Sequence, residues 1–247
     1  MYGLFITGID TAVGKTHVTC LLARRLRQLG VSVGVYKPVC SGAEFSPTGE
    51  PDWSDLEQLS AATDHQFPRE WICPQTFQAP LAPPLSAAQE GRQVDAQLLR
   101  SGTNVWRDQV DFLLVEGVGG WMCPLTATET VADLARDLGF PVLVVAANRL
   151  GMLSHTLLTL QSLAFSELRV AGAVVNPVCG EDDGTHESNA VYLRNMISLP
   201  VFGPLIWQAN SGNLEHSAET ATNRLLDELI RECVPEEVLW DNKKAES

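Results

Sequence analysis

Leu4, Phe5 and Ile6 make a short unbroken apolar run, the pattern of a strand buried on both faces, and beyond a polar turn Val18, Leu21, Leu22, Leu26 and Leu29 recur at helical spacing. The same alternation returns along the chain. Residues 31–36 and 111–116 read as strands, residues 141–147 as a strand followed by a helix over 153–166, and residues 170–176 as a strand followed by a helix over 187–197. Residues 201–207 are a last strand candidate and residues 218–231 a last helix. Strands alternating with helices, without an internal repeat, predict an α/β domain with a mostly parallel central sheet, helices on both faces and right-handed crossovers.

Between these elements the pattern is weaker. Residues 43–54, rich in Pro, Gly, Ser and acids, read as a loop before a helix that begins near Asp55 and Leu56. Residues 72–84 carry Pro74, Pro80, Pro83 and Pro84 and read as an extended, ordered loop. Helical patterns follow over 86–91 and 95–106, with Trp53, Trp71 and Trp106 read as packing residues. A single domain is expected over residues 1–234, with a frayed tail over 235–247.

Composition narrows the function. A chain of 247 residues, 45% hydrophobic and 19% charged, buries one large core. No run of about 18 apolar residues occurs, and the N-terminus enters the first strand without a basic, apolar, cleavable leader, so a cytoplasmic protein without a membrane partner is expected. Cys20, Cys40, Cys73, Cys123, Cys179 and Cys233 form no C-x-x-C pair, as suits reduced thiols. The net charge of −13 repels phosphodiester backbones, so nucleic acid is a poor partner and any anion must be held at a local site.

Such a site is written at the end of the first strand, in Gly8-Ile-Asp-Thr-Ala-Val-Gly-Lys15-Thr16. Backbone N–H groups around Gly14 would wrap a β-phosphate, Lys15 would reach the β and γ oxygens, and the Thr16 hydroxyl would ligate Mg²⁺ at the helix N-terminus. The loop is a variant of the usual pattern, for Ile9 stands where the first glycine is normally found. With its strand and helix it predicts a three-layer sandwich of the P-loop NTPase type and a nucleoside triphosphate as ligand. Lys37, at the end of the second strand, is either a solvated surface lysine or a second cation aimed at the phosphates. Asp55 either caps its helix or ligates magnesium. Val115-Glu116-Gly-Val-Gly-Gly120 ends a buried strand in an acid and then glycines, which suits a carboxylate that holds Mg²⁺ and amides that approach the ligand.

Taken together with Tyr36-Lys37-Pro38-Val39-Cys-Ser41-Gly42 and Leu150-Gly151-Met-Leu-Ser-His155, these elements make the chain resemble the dethiobiotin synthetases over residues 3–207. The resemblance implies an ATP- and Mg²⁺-dependent cyclo-ligase of biotin synthesis that joins CO₂ to the vicinal amines of 7,8-diaminononanoate. It implies Lys15 and Lys37 as catalytic cations, and Thr16, Asp55 and Glu116 around the metal. ATP would lie along Ala12, Val13, Gly14, Lys15, Thr16, His17, Asp55, Glu116, Gly117, Val118, Gly119, Asn176, Leu205 and Ile206, with Asn176 reading the adenine edge. Thr11 and Ser41 would meet the diamine or carbamate. Leu150, Gly151 and Ser154 would meet the substrate carboxylate across the boundary of a homodimer. The chain departs from the family's pattern at Ala12, where an acid is common, at Ser154, where Asn is frequent, and at Val118, which replaces a smaller residue.

Two rivals share the loop. A cobyrinic acid diamide synthase-like ligase would need a glutaminase domain, for which little chain remains after residue 207. A partitioning-type ATPase switch would carry a second lysine where Asp10 stands.

Overall fold

The structure, a computed structural model, describes residues 1–178, 186–205 and 215–240. In chain order these form β1 (Tyr2–Gly8), α1 (Lys15–Gln28), β2 (Val33–Tyr36), β3 (Cys40–Ser41), β4 (Glu44–Phe45), β5 (Pro51–Asp52), α2 (Ser54–Ala62), α3 (Arg69–Ile72), β6 (Thr76–Phe77), α4 (Pro83–Gln89) and α5 (Ala96–Ser101). The second half adds β7 (Phe112–Glu116), α6 (Val131–Leu138), β8 (Val142–Ala147), α7 (Met152–Ala164), β9 (Val170–Asn176), α8 (His186–Met196), β10 (Val201–Phe202), α9 (Glu215–Cys233) and α10 (Glu236–Trp240).

Six strands make one parallel sheet in the order β10-β9-β8-β1-β7-β2, with helices flanking it. The apolar run of β1 is buried because β7 and β8 pair with it on either side, which leaves no residue from Gly3 to Gly8 facing solvent. Helix α1 lays Val18, Leu22 and Leu26 against the sheet and packs on α2 and α9; Arg25 donates to both carboxylate oxygens of Asp227 to fasten the last pair. Parallel strands all end on one side, so the loops after β1, β2, β7 and β9 gather at one edge of the molecule.

The weakly patterned segments differ from expectation for local reasons. The loop over 43–54 contains a small hairpin in which Glu44 faces Asp52 and Phe45 faces Pro51. Helix α2 starts at Ser54 behind Trp53, which places Asp55 inside the first turn; capping is not its role. In the Pro-rich stretch Thr76–Phe77 pairs with β3, and Pro83 and Pro84 open α4, where a missing N–H breaks no helical bond. The pattern over 95–106 splits into α5 and a single 3₁₀ turn over Asn104–Trp106. Gly102 lies between them, and a Cβ there would come within 2.2 Å of the Tyr36 hydroxyl. The last strand is only Val201–Phe202, with 206–207 outside the described residues. After Pro235 the chain is not frayed at once, since α10 buries Val238; residues 241–247 lie outside the described residues.

Trp106 packs as read, fully buried and edge-on to Phe67 and Trp71. Its ring covers Gly34 so closely that a Cβ would stand 2.5 Å from Cε3. Gly34→Ala is therefore expected to destabilise the fold by about 1–3 kcal/mol through overpacking, read as a lower urea midpoint; an unchanged midpoint would contradict this packing.

Candidate active site

Where the strand ends gather, an open cleft of about 780 Å³ is lined by Thr11, Ala12 and Gly14 of the first loop, by Lys15, Thr16 and His17 at the start of α1, by Lys37 and Ser41 after β2, by Asp55, and by Glu116, Val118 and Gly119 at and after the end of β7. Asn176, Pro177 and Val178 close it from β9. The loop's shape follows from its small residues. At Gly8 a Cβ would press within 2.7 Å of Val13 and 2.8 Å of the Asp10 carbonyl, so the loop can fold back over this position only because it is glycine. Ala12 and Gly14 both take left-handed backbone, at φ 54° and 88°. Helix α1 follows with no side-chain cap, so its first N–H groups are offered to an anion in the cleft.

The floor is ionic. The Lys37 ammonium, 3% exposed, donates to Asp55 Oδ2 at 2.5 Å and to Glu116 Oε1 at 2.7 Å, and the Thr16 hydroxyl donates to the same Glu116 oxygen at 2.7 Å. Burial alone would lower the Lys37 pKa, but Glu116 and Asp55 outweigh it and hold the ammonium well above its ordinary value. Asp55 behaves oppositely: burial would raise it, yet Lys37 keeps it below the usual carboxylate range. Lys15 donates to the Asp10 carbonyl at 3.1 Å, and burial, reinforced by the nearby Lys37 charge, pulls it down to about 8. His17 is lowered by burial and by Arg24. Burial pushes the Cys40 thiol, also on the wall, up to about 11, so no thiolate nucleophile is offered there.

Among the described residues no three His, Cys, Asp or Glu side chains converge as a self-sufficient metal site. The cleft instead suits a hard divalent ion shared with phosphate oxygens. Thr16, Asp55 and Glu116 supply oxygen donors, and Glu116 Oε2 is a buried acceptor with no hydrogen-bond partner among the described residues.

The structure thus brings together most of the residues read from the sequence, and leaves some out. Lys37 is no surface lysine. The Val13 side chain is fully buried and points into the core, Gly117 closes the β7 end by donating to the Ile6 carbonyl, and Leu205 is buried beside Val175; none lines the cleft. Ile206 lies outside the described residues. Leu150, 77% exposed, Gly151 at the α7 N-terminus and exposed Ser154 stand apart from this chain's own cleft. Sequence reasoning missed the far wall, Pro80, Leu81, Ala82 and Pro83, together with Gln58, Cys40 and Cys123. The four prolines hinted at a fixed wall; its position depends on the Ser41 hydroxyl donating to the Leu81 carbonyl and on the Trp53 indole donating to that of Phe77.

A Gly-Lys-Thr loop that opens into an uncapped helix on a parallel sheet, beside a buried acid at a neighbouring strand end, defines a nucleotide-binding protein of the P-loop NTPase class. The AAA domain family model matches residues 2–214. Two solved structures of pNOB8 ParA, one bound to nonspecific DNA, superpose with TM-scores of 0.50 and 0.51 at 13% and 14% identity, covering 100% and 94% of this chain and 99% and 98% of theirs; they share the fold. Curated relatives are closer. The ATP-dependent dethiobiotin synthetase BioD of Anaeromyxobacter dehalogenans (strain 2CP-1) is 44% identical over 84% of this chain and 91% of its own length. That of Rhodopirellula baltica is 35% identical over 88% and 91%, and the BioD 1 protein of Escherichia coli (strain K12) 36% identical over 84% and 91%. The chain belongs to the ATP-dependent dethiobiotin synthetase family.

Proposed function

We propose that the protein uses ATP and Mg²⁺ to join CO₂ to the two vicinal amines of 7,8-diaminononanoate, closing the ureido ring of dethiobiotin. The observation that carries this reading is the convergence of Lys15, Lys37, Asp55 and Glu116 on one cleft, in a chain of that family. One amine captures CO₂ and releases a proton, giving a carbamate. A carbamate oxygen takes the γ-phosphoryl group as ADP leaves, and the second amine then attacks the carbonyl carbon of this carbamic–phosphoric anhydride and expels phosphate. Lys15 offsets charge on the transferring phosphoryl group, and Lys37 holds the carbamate against the γ-phosphate, which combines electrostatic stabilisation with positioning. Thr11 and Ser41, on the cleft wall, hold the diamine end.

Thr16, Asp55 and Glu116 would hold Mg²⁺, which neutralises phosphate oxygens when bound. The two carboxylates embrace Lys37 in this structure, so Lys37 and a divalent ion compete for the same oxygens. Mn²⁺ titration of the nucleotide-free protein, followed by electron paramagnetic resonance, is therefore expected to show roughly tenfold tighter binding in Lys37→Met than in wild type, a modest share of the attraction between close charges. Equal or weaker binding would contradict that competition.

Asn176 is assigned to the adenine edge, because its buried Oδ1 has no partner among the described residues and a 6-amino group donates. We assign the exposed Leu150, Gly151 and Ser154 to the substrate carboxylate of a second copy in a homodimer, with the α7 N-terminal amides as donors. A cytoplasmic setting suits the free thiols of the described cysteines. The test is ADP release with diaminononanoate and bicarbonate varied independently. Release that needs both, with dethiobiotin formed, supports the reading; release indifferent to both points instead to a nucleotide switch.

A further inference from the structure

Asn176 ends β9, separated from β1 by β8, yet its side chain reaches the phosphate loop. Its Nδ2 donates to the Val13 carbonyl at 2.9 Å in a buried setting. Gly14 lies directly beneath the same amide group, where a Cβ would stand 2.0 Å from Nδ2. Only the NH₂ arm can donate to a carbonyl, so the contact also settles which way the amide faces and leaves Oδ1 a buried acceptor without a partner among the described residues. The residue is anchored from behind. Its own carbonyl accepts from Asn148 N at 2.7 Å, and it pairs with Ala147 on β8.

The loop needs such an anchor at this point. Ala12 and Gly14 hold left-handed backbone on either side of Val13, so the orientation of the Val13–Gly14 peptide is set by little within the loop itself. Lys15 ties itself to the loop's beginning, at the Asp10 carbonyl, and leaves the Val13 carbonyl to Asn176.

We propose that Asn176 is a positioning residue for the phosphate loop: its Nδ2 fixes the Val13–Gly14 peptide so that the loop's N–H groups face the phosphates, a role separate from any contact its Oδ1 makes with a base. One amide then serves both ends of the nucleotide, and phosphate binding depends on it even when no base is present. This rests on the reading of the cleft as a triphosphate site.

The probe is inorganic tripolyphosphate, which has phosphates and no base, measured by calorimetry against wild type and Asn176→Ala. Tripolyphosphate affinity is expected to fall about tenfold in the variant, the loss of roughly one buried hydrogen bond. With ATP, kcat at saturation should also fall while KM rises, because a displaced loop misplaces the reacting phosphoryl group. Unchanged tripolyphosphate affinity, with only KM for ATP raised, would overturn the proposal and leave Asn176 a reader of the base. If Asn176→Ala does not fold, Asn176→Ser, one bond shorter and unable to span to Val13, gives the same comparison. Wild type that fails to bind tripolyphosphate would instead overturn the triphosphate reading itself.

Discussion

Lys37→Met is expected to lower kcat by about two to three orders of magnitude and, in the same molecule, to weaken the nucleotide-free fold by about 3–5 kcal/mol. The first effect follows from the proposed chemistry, because a preorganised ammonium that bridges carbamate and γ-phosphate acts on charge that develops only as the phosphoryl group moves. The second follows from the floor of the cleft. Lys37 and Glu116 are 3% and 1% exposed, so removing the cation leaves a carboxylate buried with the Thr16 hydroxyl as its one remaining side-chain donor among the described residues. Asp55, 38% exposed, is reached by water and contributes less. Adding Glu116→Gln to Lys37→Met removes the stranded charge, and should restore much of the stability but none of the turnover. Urea melts and steady-state rates on the single and double variants check both halves. Turnover within about threefold of wild type in Lys37→Met would remove Lys37 from the reaction, and an unchanged urea midpoint would deny the burial of the pair.

The parts of the fold that the sequence announces are those that a single local rule decides. Leu4, Phe5 and Ile6, the run before Glu116, and residues 170–175 are short polar-free stretches bounded by breakers, too short for a helix and suited to a doubly covered parallel strand; β9 has the bounds read for it. Gly14, Lys15 and Thr16 are legible for a similar reason, because phosphate binding by backbone amides fixes residue types within one turn. Where a partner from far along the chain decides, the sequence is silent. Asp55 reads equally as a cap or a ligand until Lys37, 18 residues earlier, is seen to reach it. Pro83 reads as part of an extended loop, yet it begins α4, because a proline at a first helical position resembles a proline in a loop. Asn176 is pointed to by the family resemblance alone, and the structure places it on the cleft. That its Nδ2 is committed to Val13, 163 residues away, depends on the order in which β9, β8 and β1 lie side by side.

Lys15→Met should lower kcat by a similar two to three orders of magnitude but move stability the other way, and the contrast separates the two lysines. Lys15 is 7% exposed, and the oxygen it reaches is the neutral Asp10 carbonyl; burial and the Lys37 charge outweigh the pull of Glu116 and Asp55. Its proton is held less tightly in the folded protein, at about 8, than at the ordinary 10.5 of an unfolded chain. Below about pH 8 the ammonium is charged in both states and opposes folding, by roughly 3 kcal/mol, since a tenfold difference in proton affinity between the two states corresponds to ~1.36 kcal/mol. Between about 8 and 10.5 the folded state sheds this proton first, the unfolded chain binds more protons, and wild-type stability from this group rises with pH. Methionine keeps the apolar stem and has no charge to bury, so Lys15→Met should be the more stable protein at pH 7, with its advantage shrinking as pH climbs through that window. Urea midpoints at pH 7 and pH 10, on nucleotide-free protein, measure this directly. A variant less stable than wild type at pH 7 would mean that Glu116 and Asp55 already offset the burial of Lys15 in the empty cleft, and would weaken the reason for which a triphosphate is drawn there.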